Sequence, residues 1–360
     1  MSNLLVTGAA GFIGSNYVFY HRDLRPDDTI VVLDALTYAS TIETIKPLIG
    51  TENFYFEHGD ILDELKVNSI MEQYKIDTIV HFAAESHVDR SIAGPDAFIK
   101  TNVEGTHNLL KAARKYFIKD NVCTGHFHHI STDEVYGTLA PEDPAFKESN
   151  PFRPNSPYSA SKAASDCLVR AYVHTYGLNA TVTNCSNNYG PRQFPEKLIP
   201  LCITNLLDGL NVPVYGDGRQ IRDWLFVEDH ARAIDLAIDS RAHEGTWNIG
   251  GRAELTNLEV IHTICDRLDD MLKSDPALVE RFAKSAIACG KSSRDLIVHV
   301  TDRPGHDRRY AIDPTFANDD LKFKPSLDFA RGIELTIRWY IDNENWWRPL
   351  KNRLMDFSSR

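Results

Sequence analysis

The first half of the chain alternates short β-branched runs with stretches of helical spacing, and few architectures accept that rhythm. "NLLVTG", "TIVVLD", "FYFEHGD", "TIVHFAA", "HFHHIST" and "NATVTNCS" each read as a buried strand of about five residues. Between them, segments such as "VNSIMEQY" and "VEGTHNLLKAARKYF" carry apolar residues at helical intervals. Strands that are apolar along their whole length need cover on both faces, so helices must flank a parallel sheet on either side. Right-handed crossovers then wind the sheet doubly and place ligands at the carboxyl ends of its strands.

After residue 190 the rhythm breaks. "NNYGPRQFPEKLIP" and "NVPVYGDGRQIRDW" are rich in proline and glycine, which predicts loops and short strands. "RDWLFVEDHARAIDLAID" returns to a helix entered through a strand, and "GTWNIGG" reads as one more strand. The chain is therefore expected to leave its first domain, come back, and leave again. Residues 1–190 and 219–250 form the first unit; 191–218 and 251–350 form a smaller, discontinuous α/β unit.

Length and charge narrow the partners. A chain of 360 residues has room for a sizeable core, and its net charge of -11 argues against nucleic acid or an anionic membrane surface. No apolar run approaches the roughly 20 residues that span a bilayer, and "MSNLLVTGAAGFIG" lacks the basic start of a signal peptide. The cysteines at 123, 167, 185, 202, 265 and 289 form no CxxC pair, which fits free thiols in a reducing cytoplasm. "HFHH" at 126–129 suggests a metal, but alternate side chains of a strand face opposite ways and do not converge, so no metal is expected.

Two groups of residues carry chemistry. "TGAAGFIG" places Gly8, Gly11 and Gly14 straight after the first strand and at the start of a helix, where a backbone can approach a pyrophosphate closely. Asp34 closes the second strand 20 residues beyond Gly14. Its carboxylate suits the two ribose hydroxyls of NAD and repels a 2′-phosphate, so the first unit reads as a Rossmann domain for NAD. Asp60 ends the third strand, where an adenine edge is within reach. Farther along, "NSPYSASKAASD" sets Tyr158 and Lys162 one helical turn apart. A phenol with an ordinary pKa near 10 is a poor base at neutral pH, and a neighbouring ammonium beside a positive nicotinamide favours the phenolate.

With these motifs, and with "HFAAESHVDRS", "NVEGTHNLL", "NNYGP" and "RDWLFVEDHARAI", nearly the whole chain resembles the extended short-chain dehydrogenase/reductases. That resemblance makes Thr132 the third member of a triad with Tyr158 and Lys162. It also explains "STDEVYG", in which two carboxylates stand side by side where a core strand stops. Members that only oxidise and re-reduce a sugar need no such pair. The motif, together with "DRPGHDRRYAID" and "RWYIDNENWW", is similar to the nucleotide-sugar 4,6-dehydratases, in this full form to those acting on dTDP-glucose. By resemblance Asp133 is the general acid and Glu134 the general base. The chemistry asks for such a pair independently: a C4 ketone acidifies the C5 proton, and loss of the C6 hydroxyl as water needs a donor on the adjacent carbon.

The same resemblance implies further contacts. Phe12, Ile13, Thr37, Ile61, Ala83, Ala84, Thr101 and Asn188 are expected at the cofactor, with Tyr158 and Lys162. Ser86, Asn187, Lys197, Leu198, Pro213, Tyr215, Arg222, Asn257, Asp302, Arg303 and His306 are expected at the nucleotide-sugar, with Thr132, Asp133 and Glu134. Two phosphate charges need local cations in an acidic protein, which Lys197, Arg222 and Arg303 can supply. Family members pair two long helices, here in "VEGTHNLLKAARKYF" and "YSASKAASDCLVRAYVHTYG", into a four-helix homodimer interface. "WW" at 346–347 is expected to pack or to meet a partner, and the long connection at 273–297 to lie at the periphery. CDP-glucose and GDP-mannose dehydratases are the nearest alternatives. A 4-epimerase lacks the acid pair, and a non-catalytic dinucleotide sensor would not need an intact Thr132, Tyr158 and Lys162.

Overall fold

A computed structural model describes residues 1–302 and 307–358. Seven parallel strands form the main sheet: β1 (Asn3–Thr7), β2 (Thr29–Asp34), β3 (Phe54–His58), β4 (Thr78–His81), β5 (His126–Thr132), β6 (Ala180–Cys185) and β7 (Glu244–Ile249). Their order is β7-β6-β5-β4-β1-β2-β3, so the direction of winding reverses at β1, as in a doubly wound Rossmann sheet. Each strand sends alternate side chains to opposite faces. Leu5, Val31, Ile79 and Phe127 join one buried cluster, while Leu4, Val32, Val80 and Ile130 join another across the sheet. Each such fully buried side chain contributes roughly 1.5–3 kcal/mol, so both faces need helices.

Those helices follow the sequence pattern. Helix α1 (Phe12–Leu24) packs with α4 (Val227–Asp239) on one face; α2 (Thr106–Phe117) and α3 (Pro157–Tyr176) lie on the other. The start of α3 is fixed by Pro157 in its first turn and a capping box between Ser156 and Ser159; Gly177, with φ of 70°, closes it. The segment ahead of α2 departs from regular α spacing and forms a π-helix over Ile99–Gly105.

The second half builds a separate core. Strand Ile221–Phe226 does not join the main sheet; it pairs with Asn187–Tyr189 and Glu254–Thr256, whereas β7 returns to the sheet beside β6. Helices Leu198–Leu207, Asn257–Ser274 and Phe329–Asp342 surround a cluster that includes Trp224, Phe226, Leu268, Tyr340 and Trp347. Trp347 is fully buried and its indole donates to the Tyr340 carbonyl at 2.7 Å, while Trp346 donates to Thr44 Oγ1 at 3.2 Å, so the tryptophan pair packs. The 273–297 connection holds helix Pro276–Arg281 and two short 3-10 turns, and inserts Leu278 and Phe282 into this core. All six cysteines are free, and no helix among the described residues is long and apolar enough to cross a membrane.

Candidate active site

A cleft of about 330 Å³ runs along the carboxyl ends of β1, β2, β4, β5 and β6. Its floor is the turn between β1 and α1. Gly8 takes φ of +74°, and a Cβ there would stand 2.6 Å from the Ala83 nitrogen. A Cβ on Gly14 would stand 2.7 Å from the Gly8 carbonyl oxygen. The turn is thus pressed against the loop after β4 at Gly8 and against its own backbone at Gly14, with no room for a side chain at either glycine. Gly11 caps α1 with no side-chain bond, so the positive end of the helix dipole stays available to a pyrophosphate.

Asp34 lies at the edge of this floor and is 6% exposed. Its Oδ2 accepts from the Ala10 amide at 2.9 Å; its Oδ1 accepts from the Leu36 amide at 2.8 Å and from Ser40 Oγ at 3.1 Å. Burial raises its pKa and these bonds oppose the rise. The carboxylate is therefore oriented before any ribose arrives. Every residue assigned to the cofactor lines the cleft: Gly8, Gly11, Phe12, Ile13, Gly14, Asp34, Thr37, Asp60, Ile61, Ala83, Ala84, Thr101, Tyr158, Lys162 and Asn188.

The reacting end forms where β5 stops. Thr132 ends the strand, and its Oγ1 accepts from the Glu134 amide at 3.3 Å, so the threonine caps the 3-10 turn Asp133–Tyr136. The two acids do not cap it. Glu134 faces the cleft, whereas Asp133 sits behind it, 2% exposed and with Oδ2 lacking a hydrogen-bond partner. Burial raises the Asp133 pKa well above the ordinary carboxylate value, and the charge of Glu134 raises it further; Arg222 opposes both. One acid of the pair is thus held protonated by its surroundings.

Tyr158 and Lys162 project from the first turns of α3 into the same cleft. Their electrostatics differ from the expectation. Burial lifts the Tyr158 phenol well above its ordinary value, and Glu134 adds to the rise; a hydrogen bond with Thr132 pulls the other way. Lys162 donates to the Ile130 carbonyl at 2.8 Å and meets His129 Nε2 at 3.3 Å. Burial lowers its own pKa to about 8. The chain's own groups therefore disfavour the phenolate, with desolvation the leading cause.

Among the residues assigned to the substrate, Ser86, Thr132, Glu134, Asn187 and Lys197 line the cleft. Leu198 begins the helix next to Lys197 but does not face the opening. Arg222 lies deeper, 6% exposed; it donates to the Asp307 carbonyl at 3.0 Å and stacks 4.3 Å over the Tyr310 ring. Pro213 and Tyr215 on strand Val212–Tyr215, Asn257 at a helix start, and Asp302, which accepts from Gln220 at 2.9 Å, stand outside the cleft lining. Arg303 and His306 fall outside the described residues.

Sequence reasoning missed a clasp across the cleft mouth. Tyr38 donates to Glu196 Oε1 at 3.0 Å, Arg90 lies 3.7 Å over the Tyr38 ring, and His87 Nε2 is 3.7 Å from Glu196. Three segments distant in sequence meet there, one of them the short helix Val88–Ala93, and no local motif announces such a meeting. The histidines of "HFHH" bond within the sheet and to the reacting end: His126 and His128 both bond Thr181, at 2.8 Å each, while His129 turns to Lys162.

The family model for GDP-mannose 4,6 dehydratase matches residues 5–336. The dTDP-glucose 4,6-dehydratase of Neisseria meningitidis serogroup B is 49% identical over 355 residues, covering 98% of this chain and 97% of that one. Two solved structures superpose with TM-scores of 0.83. One is dTDP-glucose 4,6-dehydratase from Bacillus anthracis in complex with NAD, 41% identical, covering 97% of this chain and all of its own. The other is the Streptomyces venezuelae dTDP-glucose 4,6-dehydratase with NAD and dTDP bound, 44% identical, covering 97% of this chain and 99% of its own. The chain belongs to the dTDP-glucose 4,6-dehydratase family of extended short-chain dehydrogenase/reductases.

Proposed function

We infer that this chain is an NAD-dependent hydro-lyase that converts dTDP-glucose into dTDP-4-keto-6-deoxyglucose and water, supplying a deoxysugar (rhamnose) precursor. The observation that carries it is the division of the acid pair: Glu134 opens to the cleft that holds Tyr158, and Asp133 is buried behind it with a raised pKa. NAD held there would supply the hydride chemistry at C4 and C6. Tyr158, supported by Thr132 and Lys162, takes the C4 hydroxyl proton. Glu134 then removes the C5 proton, which the C4 ketone has made acidic, and Asp133 gives its proton to the departing C6 hydroxyl. Protonated Glu134, exchangeable with solvent, returns a proton to C5 once C6 has gained hydride. Gly8, Gly11, Gly14 and Asp34 hold the cofactor. Lys197 and Arg222 answer the diphosphate, and Pro213, Tyr215, Asn257 and Asp302 act at the nucleotide end with Arg303 and His306.

Isotopic labelling tests the sequence of steps. Deuterium at C4 of dTDP-glucose is expected at C6 of the product, and solvent deuterium at C5. Loss of the C4 label to solvent would replace the dehydratase by a simple sugar dehydrogenase. Side-by-side assay of dTDP-, CDP- and GDP-hexoses reads the base.

We divide the chain as the sequence suggests, with NAD on residues 1–190 and 219–250 and the nucleotide-sugar on 191–218 and 251–350. We place the protein in the cytoplasm, where six free thiols persist, and cell fractionation checks that placement. A homodimer through a four-helix bundle of α2 and α3 is supported by their packing side by side, with Ile99 and Tyr176 exposed near their ends. Sedimentation at micromolar concentration should give twice the chain mass; a monomer would contradict the bundle.

A further inference from the structure

We propose that His129 and Asp166 are buried positioning residues beneath the reacting centre, His129 fixing the direction of Lys162 and Asp166 its charge. The proposal rests on the dehydratase reading of Tyr158 and Lys162. Lys162 and Asp166 stand one turn apart on α3, so they share a face of the helix, and β5 brings His129 against that face. His129 Nε2 is 3.3 Å from Lys162 Nζ and 3.3 Å from Asp166 Oδ1. The other carboxylate oxygen, Oδ2, accepts from Ser131 Oγ at 2.7 Å and from Asn184 Nδ2 at 3.4 Å, which fixes the carboxylate in place. All three side chains are buried, at 0%, 4% and 6% exposed for His129, Lys162 and Asp166.

Proton counting settles the arrangement. Burial lowers the His129 pKa well below its ordinary value and the Lys162 charge lowers it further, so the ring is neutral. A neutral ring nitrogen either donates or accepts. Nε2 meets an ammonium, which only donates, so Nε2 accepts and the ring proton sits on Nδ1. Nε2 therefore gives no hydrogen bond to Asp166 Oδ1, and Asp166 acts on Lys162 through its charge. The ammonium has three N–H groups. One goes to Ile130, one to His129, and the third remains for the cleft that Lys162 lines.

Charge follows the same logic. Around Lys162 lie His129 and Thr132 from β5, His81 from β4, Cys185 and Asn184 from β6, and Asp166 and Tyr158 from its own helix. Asp133 and Glu134 stand at the end of β5. Burial lowers the Lys162 pKa, and Asp166 is the foremost group raising it; the balance falls at about 8. Asp166 itself is pushed up to about 6 by burial, with Lys162 and the bonds from Ser131 and Asn184 opposing. Between about 6 and about 8 the pair is therefore ammonium and carboxylate, which covers neutral pH.

The test follows Lys162 itself. In the NAD-bound protein carrying ¹³C-labelled lysine, Asp166→Asn is expected to lower the Lys162 titration midpoint by about one pH unit or more. The alkaline limb of kcat should move down by the same amount, with KM for dTDP-glucose unchanged. A merely structural role would lower kcat evenly at every pH. Ser131→Ala, which loosens the hold on the carboxylate but keeps its charge, should shift the limb the same way by less; it serves if Asp166→Asn does not fold. His129→Phe, isosteric but with no acceptor, should lower kcat while His129→Gln restores part of it. An unchanged Lys162 midpoint in Asp166→Asn, or an unmoved limb in Ser131→Ala, would overturn the proposal. A wild-type protein that makes no dehydrated product would instead sink the dehydratase reading and leave the titration comparison standing.

Discussion

Glu134→Gln is expected to oxidise dTDP-glucose at C4 and then stop. The amide keeps the size of the side chain and its place in the cleft lining but cannot accept the C5 proton. Product formation should fall by a factor of roughly 10² or more, the usual worth of a positioned base. Reduced cofactor should accumulate on the protein and show in its own absorbance band. The oxidation step should not slow, because the Glu134 charge is among the causes that raise the Tyr158 pKa, and removing it eases loss of the phenolic proton. The same charge raises the Asp133 pKa, so the acid becomes somewhat stronger in the variant. Asp133→Asn offers the matching contrast: its elimination should recover when C6 carries fluoride, which leaves with little protonation. Product at the wild-type rate from Glu134→Gln, or no reduced cofactor at all, would remove Glu134 from the role of base.

How far the site could be read from residues depended on how local its parts are. The glycine turn, Asp34, and Tyr158 with Lys162 each sit within a single strand end or helical turn and are legible from spacing, whereas Thr132 and its two acids, equally local, take their roles from the family resemblance. Side-chain environment is different. That Asp133 is buried while Glu134 lines the cleft, and that the charges of Arg222 and Asp223 act on it, follows from the packed fold and not from its place in the sequence. The ammonium of Lys162 was expected to govern the phenol, yet desolvation governs both groups, and desolvation is a property of the packed fold. Strand Ile221–Phe226 looked like a return to the main sheet because it leads into a helix. Its partners, Asn187–Tyr189 and Glu254–Thr256, are short strands in loop-rich stretches whose pairing no periodicity reveals. Pro213, Tyr215, Asn257 and Asp302 come from such stretches too, and they stand outside the cleft lining.

Tyr158→Phe should lower C4 oxidation by about 10²–10⁴-fold, since it deletes the proton acceptor while keeping the ring. The ring itself packs edge-on to Phe98 at 6.4 Å, a contact that phenylalanine retains, so the fold should survive. The pH dependence gives the sharper reading. A phenol held above its ordinary value by burial is mostly protonated at neutral pH, and its phenolate fraction rises tenfold per pH unit. Wild-type oxidation, measured in a single turnover, should therefore climb with pH. The climb should weaken near pH 8, where Lys162 begins to lose the proton that supports the phenolate. In Tyr158→Phe the residual rate should lose that climb, because no phenol remains to ionise. Retention of the wild-type slope by the phenylalanine variant would assign the first proton to another group, and Glu134, which lines the same cleft, would be the one to test next.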